Sequence, residues 1–187
     1  MATLFVDKID PQSGTSLEIG SSGDTISVPS GATINLSNAT QTGVGGTNTP
    51  AFSAYQSSAQ TISSGTATKV QYNTKHYDSD NAYDNSSNYR FTVPSGKAGK
   101  YFFSAIGSWG TTSNENAATI DLRVNGTVKW FNRVRGSGTA NILITTSAVF
   151  DLSASDYVEV FLTNATGFDT LGGDGYSNFL GYKLIGA

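Results

Sequence analysis

Few side chains in this sequence can do nucleophilic or proton-transfer chemistry. The chain contains no cysteine, and His76 is its single histidine. A serine triad would therefore need His76 as its base, with a serine and a carboxylate held around it. No Gly-x-Ser-x-Gly elbow is present, and His76 lies next to the acidic stretch that begins at Asp78. We predict that His76 lies in a surface loop, that no residue is catalytic and that the protein is not an enzyme.

Glycoside hydrolysis would need two carboxyl groups placed on either side of the bond that breaks. The chain has three glutamates, Glu18, Glu115 and Glu159, and its more numerous aspartates fall mostly in turn-like segments. Because the separation of two carboxyl groups is a property of the fold, the sequence assigns no pair to this reaction.

An oxygen-rich stretch at residues 78–85 superficially resembles a calcium loop. An EF-hand needs glycine at its sixth position and glutamate at its twelfth, where this chain has Tyr83 and Tyr89. A looser calcium site remains as a hypothesis, and the alternative is a set of solvated turns, where Asp and Asn are favoured. Calcium is the one candidate cofactor, and its candidate ligands are Asp78, Asp80, Asp84, Asp169 and Asp174.

Aromatic side chains in loops are candidate glycan contacts, because rings stack against the C–H faces of sugars. Trp109 and Tyr176 each stand beside glycine and hydroxyl residues, and we predict that both lie in loops and contact a receptor glycan. Trp130 and Phe131 precede Arg133 and Arg135 and would form a polar–aromatic rim if exposed. The favoured alternative is that Trp130 and Phe131 pack in the core or in a trimer interface.

Composition excludes several classes of protein. Charged residues make up 13 % of the chain, below the roughly 25 % of an average soluble domain, and the net charge is −3. A nucleic-acid partner is not expected, because binders carry a Lys/Arg-rich face. No apolar stretch approaches the roughly 18 residues of a membrane helix, so we expect no membrane insertion. The absence of cysteine indicates assembly in a reducing cytosol or a fold stabilised by other means such as oligomerisation, and residues 1–8 have no signal-peptide pattern.

Residues 51–187 are predicted to form the main domain. Nine short runs alternate apolar and polar residues, and turn signals separate them. Asn125-Gly126 predicts a two-residue hairpin, because both residues tolerate positive φ. No helical period is present, so the predicted fold is an all-β, antiparallel jelly-roll sandwich. The predicted strands are 52–55, 66–72, 89–93, 100–109, 119–124, 128–134, 142–150, 157–163 and 178–185.

Residues 1–40 differ from the main domain, and a Gly/Thr-rich linker at 41–50 separates the two. Short apolar–polar–apolar triplets recur there every eight or nine residues, each followed by a turn. One copy is too small to bury its aliphatic side chains, because a short β-meander is marginal in water. We predict a β-rich intertwined stalk of three chains, with a frayed arm or an edge hairpin as the alternative. The predicted inward-facing residues are Leu17, Ile19, Ile26, Val28, Ile34 and Leu36.

The aromatic spacing of residues 51–187 resembles the globular heads of complement component 1q and of tumour necrosis factor. The resemblance rests on Tyr72, Phe91, Tyr101, Phe103, Phe179 and Gly181, and on Asp156 and Val158. Ala105 and Ser155 depart from the family pattern, which has an aromatic residue and a glycine there. The resemblance implies a ten-stranded jelly roll that assembles as a compact homotrimer, with the six residues named first in its core. Some heads of this family bind calcium near the trimer axis.

Residues 9–15 and 23–34 resemble segments of tail-fibre and other structural proteins of bacteriophages. This second resemblance implies a virion protein that assembles in the host bacterial cytoplasm and contacts other virion proteins. The predicted function is a trimeric fibre or knob that adheres to a host-surface glycan or decorates the particle. The alternatives are a purely structural capsid or tail cementing protein and a soluble ligand head of the tumour necrosis factor type.

Overall fold

The computed structural model describes residues 9–35, 48–111, 117–135 and 140–185. The chain divides into two compact units, Met1–Val44 and Gly45–Ala187. The division falls within the predicted linker at 41–50, of which residues 48–50 are described.

The second unit is built from strands, and every pairing between them is antiparallel. The described ranges contain no helix, and so none that could cross a membrane. The predicted all-β antiparallel sandwich is therefore confirmed. The strands are β1 (Ala51–Tyr55), β2 (Thr61–Ile62), β3 (Thr68–Lys69), β4 (Thr74–Asp78), β5 (Tyr83–Asp84), β6 (Arg90–Thr92), β7 (Gly99–Thr111), β8 (Ala117–Val124), β9 (Thr127–Arg135), β10 (Ala140–Leu152), β11 (Tyr157–Asn164), β12 (Phe168–Asp169) and β13 (Asn178–Lys183).

Two sheets form the layers of the sandwich. One has five strands in the order β10-β7-β13-β1-β4, and the other has six in the order β5-β6-β11-β8-β9. Strand β3 adds to β11, and β2 pairs with β12 in a small separate ladder. Strands β9 and β10 are the terminal strands of their sheets, so both lie along edges of the sandwich.

Aromatic side chains fill the space between the sheets. The Phe52 ring stacks on Tyr83 with centroids 4.8 Å apart, and its edge-on contact with Phe179 is at 4.9 Å. Burial raises the pKa of Tyr72 and of Tyr83 above the usual range. Each hydroxyl donates to a backbone carbonyl, so burial leaves neither unpaired. The five aromatic residues predicted for the core have no exposed surface; they are Tyr72, Phe91, Tyr101, Phe103 and Phe179.

The hairpin predicted at Asn125-Gly126 is confirmed as the turn between β8 and β9. Both residues have positive φ, 52° and 78°, as a type I′ turn requires. The Asn125 amide also donates to Asp156 at 2.8 Å and accepts the Tyr157 N–H at 3.0 Å. These bonds tie the hairpin to the start of β11. The bond from Asn125, followed by that from the Ser153 N–H, lowers the pKa of Asp156.

The strand predicted at 66–72 is mostly wrong. Only Thr68–Lys69 forms a strand there, and the longer strand β4 lies just beyond it at Thr74–Asp78. The sequence of β4 is largely polar because it forms the outer edge of the five-stranded sheet, where few side chains are buried. Strands β2, β5 and β12 are two residues long, too short for an alternation pattern to be detected.

Within the first unit, the described residues 9–35 contain no strand, so the predicted β-rich structure does not form in the single chain. Turns occur at 21–24 and 29–32, closed by N–H···O bonds of 3.0 and 3.1 Å. A lone chain offers these residues no neighbouring strand, and an isolated meander is marginal in water. The described aliphatic residues predicted to face inward in a stalk are 44–63 % exposed here; they are Leu17, Ile19, Ile26, Val28 and Ile34. Leu36 lies outside the described residues.

Candidate functional site

His76 lies in strand β4, so its predicted position in a loop is wrong. Its ring stacks on Tyr55 with centroids 4.8 Å apart, and its Nε2 lies 2.8 Å from an oxygen of Asp174. Among the described residues no hydroxyl group is hydrogen-bonded to His76. The contacts of this histidine are those of an edge-strand residue, and they include no nucleophile.

The carboxylate of Asp78 organises the loop that follows β4. It accepts the N–H groups of Ala82 and Tyr83 at 2.9 and 3.1 Å, and Lys75 lies 3.0 Å away. Asp80 instead accepts from Ser79 and faces Lys97 at 3.8 Å. Each carboxylate of this loop therefore already has hydrogen-bond donors or a cation beside it.

Asp84 holds together the turn between β5 and β6. One carboxylate oxygen accepts the N–H groups of Ser86 and Ser87 at 2.9 and 3.0 Å. The other accepts the backbone and side-chain N–H groups of Asn88 at 3.1 and 2.7 Å. These bonds, with the Ser87 N–H first, hold the pKa of Asp84 well below its usual range.

The two aspartates predicted as a second metal pair separate in the fold. Asp169 in β12 accepts a hydrogen bond from Thr61 at 2.7 Å, whereas Asp174 faces His76. In the described part of the chain, no three acidic or histidine side chains come together as metal ligands. The predicted ligands therefore serve separate turns and ion pairs, and calcium binding stays a prediction.

Trp109 belongs to a strand, as the predicted strand at 100–109 indicated, so the prediction that it is an exposed loop residue contacting a glycan is wrong. It lies in β7 with a fully buried side chain, and its ring stacks on Phe168 at 4.7 Å. Gly110 and Thr111, which resemble a turn in the sequence, continue the strand opposite β10. Pairing over thirteen residues keeps this part of β7 inside the sandwich.

Tyr176 lies in the segment between β12 and β13 and is 41 % exposed. Its N–H closes a turn onto the Gly173 carbonyl at 3.1 Å, and this turn also carries Asp174. Asp174 contacts His76, which stacks on Tyr55, so this turn places a carboxylate against two rings at one border of the five-stranded sheet, and Tyr176 follows two residues after Asp174. We call Tyr55, His76, Asp174 and Tyr176 the ring cluster. The sequence indicated Tyr176 as a glycan contact, Asp174 as a metal ligand and His76 as a loop residue, and their common location comes from the fold.

The outward face of the five-stranded sheet is largely apolar. Residues alternate between the two faces of a strand, so the residues next to the buried Tyr101, Phe103 and Phe179 point away from the core. Leu143 and Val149 on this face are 50 % and 52 % exposed. Three consecutive cross-strand rows contain no charged residue; they are Val149-Phe102-Tyr182-Ala51, Ser147-Ser104-Leu180-Ser53-Tyr77 and Thr145-Ile106-Asn178. We call these rows, together with Leu143, the sheet face.

The outward face of the six-stranded sheet is different. The nearly buried carboxylate of Glu159 is ion-paired with Lys69. Arg123 contacts Asp121 at 2.9 Å and lies over the Phe161 ring at 3.9 Å. Lys69 and Arg123 lie over Phe161 on this face and Arg90 lies over Tyr157, whereas Phe131 on the edge strand stays exposed. Among the described residues, no ion pair or cation–π contact is found on the three rows of the sheet face. A two-layer sandwich with one charged and one apolar exterior has its unpartnered surface on the apolar side.

A groove of about 380 Å³ lies between β9 and β10 at the open edge of the sandwich. Trp130 and Phe131 line it and are 54 % and 61 % exposed, so the prediction that they are buried does not hold in the single chain. Asn132 donates to the Thr145 carbonyl at 2.7 Å and bridges the two strands, while the buried Thr146 hydroxyl has no partner among the described residues. We call this the edge groove; its lining residues are Trp130, Phe131, Asn132, Thr145, Thr146 and Ser147.

Three solved structures have the same fold as this chain. The globular domain of zebrafish complement 1qA is 18 % identical over 72 % of this chain and 97 % of that one, with a TM-score of 0.54. Murine APRIL is 12 % identical over 72 % and 98 %, with a TM-score of 0.55. Eiger TNF from S. frugiperda is 13 % identical over 73 % and 93 %, with a TM-score of 0.51.

The jelly-roll fold is confirmed. At these identities the likeness shows the fold and nothing about ligands or assembly. No family model and no curated protein matches the sequence.

Proposed function

We propose that this chain is a homotrimeric head protein displayed on a bacteriophage particle, where it adheres to a glycan of the host surface. The observation that carries the proposal is the unpartnered, charge-free sheet face of a domain with the complement 1q and tumour necrosis factor fold. Contiguous exposed apolar side chains without charge are typical of interaction sites in soluble proteins.

The sheet face and the edge groove supply the two different surfaces that a ring of identical chains needs. In such a ring, one surface of each chain contacts another surface of the next. Trp130 and Phe131 project from β9, while the sheet face offers aliphatic and aromatic side chains without charge. Each large apolar side chain that becomes fully buried contributes about 1.5–3 kcal/mol, and several are needed because association itself costs about 4–15 kcal/mol.

Display on a virion is supported by the first unit. Its sequence resembles segments of phage structural proteins, and its aliphatic side chains are exposed in the single chain. Packing three copies of this unit around one axis would bury those side chains and give the heads a common stalk. The stalk would then attach the heads to another virion protein.

The ring cluster is the proposed contact with the host glycan. Tyr176 offers an exposed ring for a sugar face, and Asp174 and His76 offer an acceptor and a polar ring beside it. A single site of this size binds weakly. Three heads on one stalk multiply such contacts by avidity, which can raise the apparent affinity 10²–10⁴-fold.

A soluble ligand head is the second candidate, and the likeness of the fold to Eiger TNF and murine APRIL favours it. The repeated segment before the head argues for the virion protein, since a ligand head has no need of a stalk built from exposed aliphatic pairs. Binding of the purified protein to bacterial surface polysaccharide, and not to animal cells, would separate the two.

Light scattering on the full chain after size-exclusion chromatography tests the homotrimer. We expect three times the chain mass of 19.6 kDa. Val149→Asp, which places a charge on the sheet face, should give folded single chains, and Asp151→Asn on the same strand serves as the control. A wild-type protein that stays monomeric at high concentration would overturn the proposal.

Adhesion is tested by passing the trimer over an array of bacterial surface polysaccharides. We expect retention on at least one polysaccharide and loss of retention for Tyr176→Ala, with the trimer mass unchanged. Retention that Tyr176→Ala leaves intact would contradict the role of the ring cluster. A trimer that no polysaccharide retains would favour the cementing role instead.

A further inference from the structure

The N-terminal unit contains one sequence pattern three times. Each copy reads Ser-Gly, any residue, Ser or Thr, then an apolar, a polar and an apolar residue. The copies begin at Ser13, Ser22 and Ser30, so they are nine and eight residues apart. A period this regular is characteristic of a stacked repeat, in which each unit cannot bury its apolar face alone.

The backbone repeats along with the sequence. The glycine of each copy has a left-handed φ, 74° at Gly14, 92° at Gly23 and 85° at Gly31. In the second and third copies this glycine is the third residue of a hydrogen-bonded turn, the position that requires positive φ in a type II turn. The three copies therefore share a left-handed glycine in the described residues, and in the second and third copies this glycine lies in a turn that precedes the apolar–polar–apolar sequence.

The two triplets that are fully described each expose an apolar pair. Ile26 and Val28 are exposed on either side of Ser27, and Leu17 and Ile19 are exposed on either side of Glu18. Alternate residues of an extended chain point to the same side, so the two apolar side chains of a pair would lie together on one side. Among residues 9–35 no backbone ladder pairs these triplets with each other.

We propose that the three repeats in residues 13–36 are interchangeable packing units, which we call rungs. Each rung packs against the same rung of the other two copies of this chain. The proposal rests on the homotrimer inferred above. Equivalent rungs from three chains present identical apolar pairs to one another, so they match without any further partner. The alternative occupant is the head of the same chain, and the test separates the two.

If the rungs are interchangeable, a deletion that removes one whole rung should preserve the packing of the other two. Removing residues 22–29 takes out one complete rung, including Ile26 and Val28, and joins the first rung directly to the third at the original nine-residue spacing. Removing residues 20–23 keeps every aliphatic residue of the three pairs, but it deletes a turn and shortens the spacing between the first and the second pair. A nonspecific apolar arm would tolerate the second deletion better, whereas stacked rungs tolerate only the first.

A cysteine introduced at Leu17 reports on the first rung, because the chain has no cysteine of its own. In the full-length trimer we expect Leu17→Cys to form interchain disulfides under mild oxidation, seen as covalent dimers on a non-reducing gel. Glu18→Cys, which points to the other side, is the matched control and should cross-link at least five-fold more slowly. The 22–29 deletion should preserve cross-linking through Leu17→Cys, and the 20–23 deletion should abolish it.

The outcomes separate this proposal from the one on which it rests. If light scattering finds single chains, the homotrimer itself fails. If the protein is a trimer but Leu17→Cys and Glu18→Cys cross-link equally, or not at all, the rungs do not pack on their counterparts and the inference is overturned. Loss of cross-linking in both deletions would show that the rungs are not interchangeable and would overturn it as well.

Discussion

Gly181 shows how one missing side chain permits the aromatic core. A Cβ placed on this residue would lie 2.5 Å from Phe103 and 2.9 Å from Phe52, closer than carbon atoms can approach. Both rings belong to the packed cluster that joins β1, β7 and β13, so neither can move away without displacing others. Glycine at this position is thus a packing requirement of the core.

Gly181→Ala should destabilise the head by roughly 1–3 kcal/mol, the usual cost of overpacking a filled core. Gly175→Ala is the matched control, because a Cβ there would meet nothing within 4 Å. Thermal unfolding followed by circular dichroism measures both variants. Equal melting temperatures for the two would contradict this account of Gly181.

Asp84→Ala should remove the five hydrogen bonds that hold the turn at residues 84–88. Loss of a capping carboxylate of this kind costs about 1 kcal/mol. The folded-state pKa of Asp84 is lowered, so its contribution is present at neutral pH and fades as the pH falls below about 4, the value in an unfolded chain.

Melting curves of wild type and Asp84→Ala at several pH values check this prediction. The difference in melting temperature between the two proteins should be largest near pH 7 and should decrease steadily as the pH falls. Asp151→Ala, at an exposed position, is the control and should show little difference at any pH. If the melting-temperature difference between wild type and Asp84→Ala does not change with pH, the charge of the carboxylate does not stabilise the turn.

At the scale of elements, strand β9 has the most consequential position. It pairs with β8 on one side and is the last strand of its sheet, yet Val128, Trp130 and Phe131 are all exposed along it. Exposed apolar edges are usually avoided in soluble proteins, because they recruit other strands. Such an edge is tolerated when another surface covers it.

The double variant Trp130→Ser/Phe131→Ser should therefore stay folded and lose the trimer. Both side chains are exposed in the single chain, so their removal costs the monomer little, whereas the interface loses two large apolar contacts. Lys129→Ser on the same strand is the control and should leave the mass unchanged. Light scattering at several concentrations gives the result, and a double variant that remains trimeric would place the interface elsewhere.

The strands that the sequence predicted well are those with one buried and one exposed face. Strand β1 alternates strictly between buried and half-buried residues, which is the pattern that the sequence shows at 52–55. Strand β4 was missed because it is a polar edge, and Trp109 was misplaced because the glycine after it resembles a turn. In the ring cluster, Tyr55 and His76 meet Asp174 from a distant part of the sequence, which no local pattern encodes.

On the scale of the whole molecule, the two units differ in what they need in order to fold. The head has its own aromatic core and complete strand ladders, while the described part of the first unit exposes its aliphatic residues. Deletion of residues 1–40 should therefore leave a folded head with a melting temperature within a few degrees of the wild-type head transition. Calorimetry of the truncated chain checks this, and a truncated head that unfolds outright would contradict the separation into units.

The contrast between the charged and the apolar exterior of the sandwich has a consequence for how the protein is made. A newly released chain presents the sheet face and the edge of β9 before any second copy has reached it. Partly folded neighbours with free strand edges can occupy the same surfaces. The yield of native protein should then depend on the rate of synthesis. Slow expression at low temperature, which gives each domain time to close its own ladders, should give more soluble protein than strong induction.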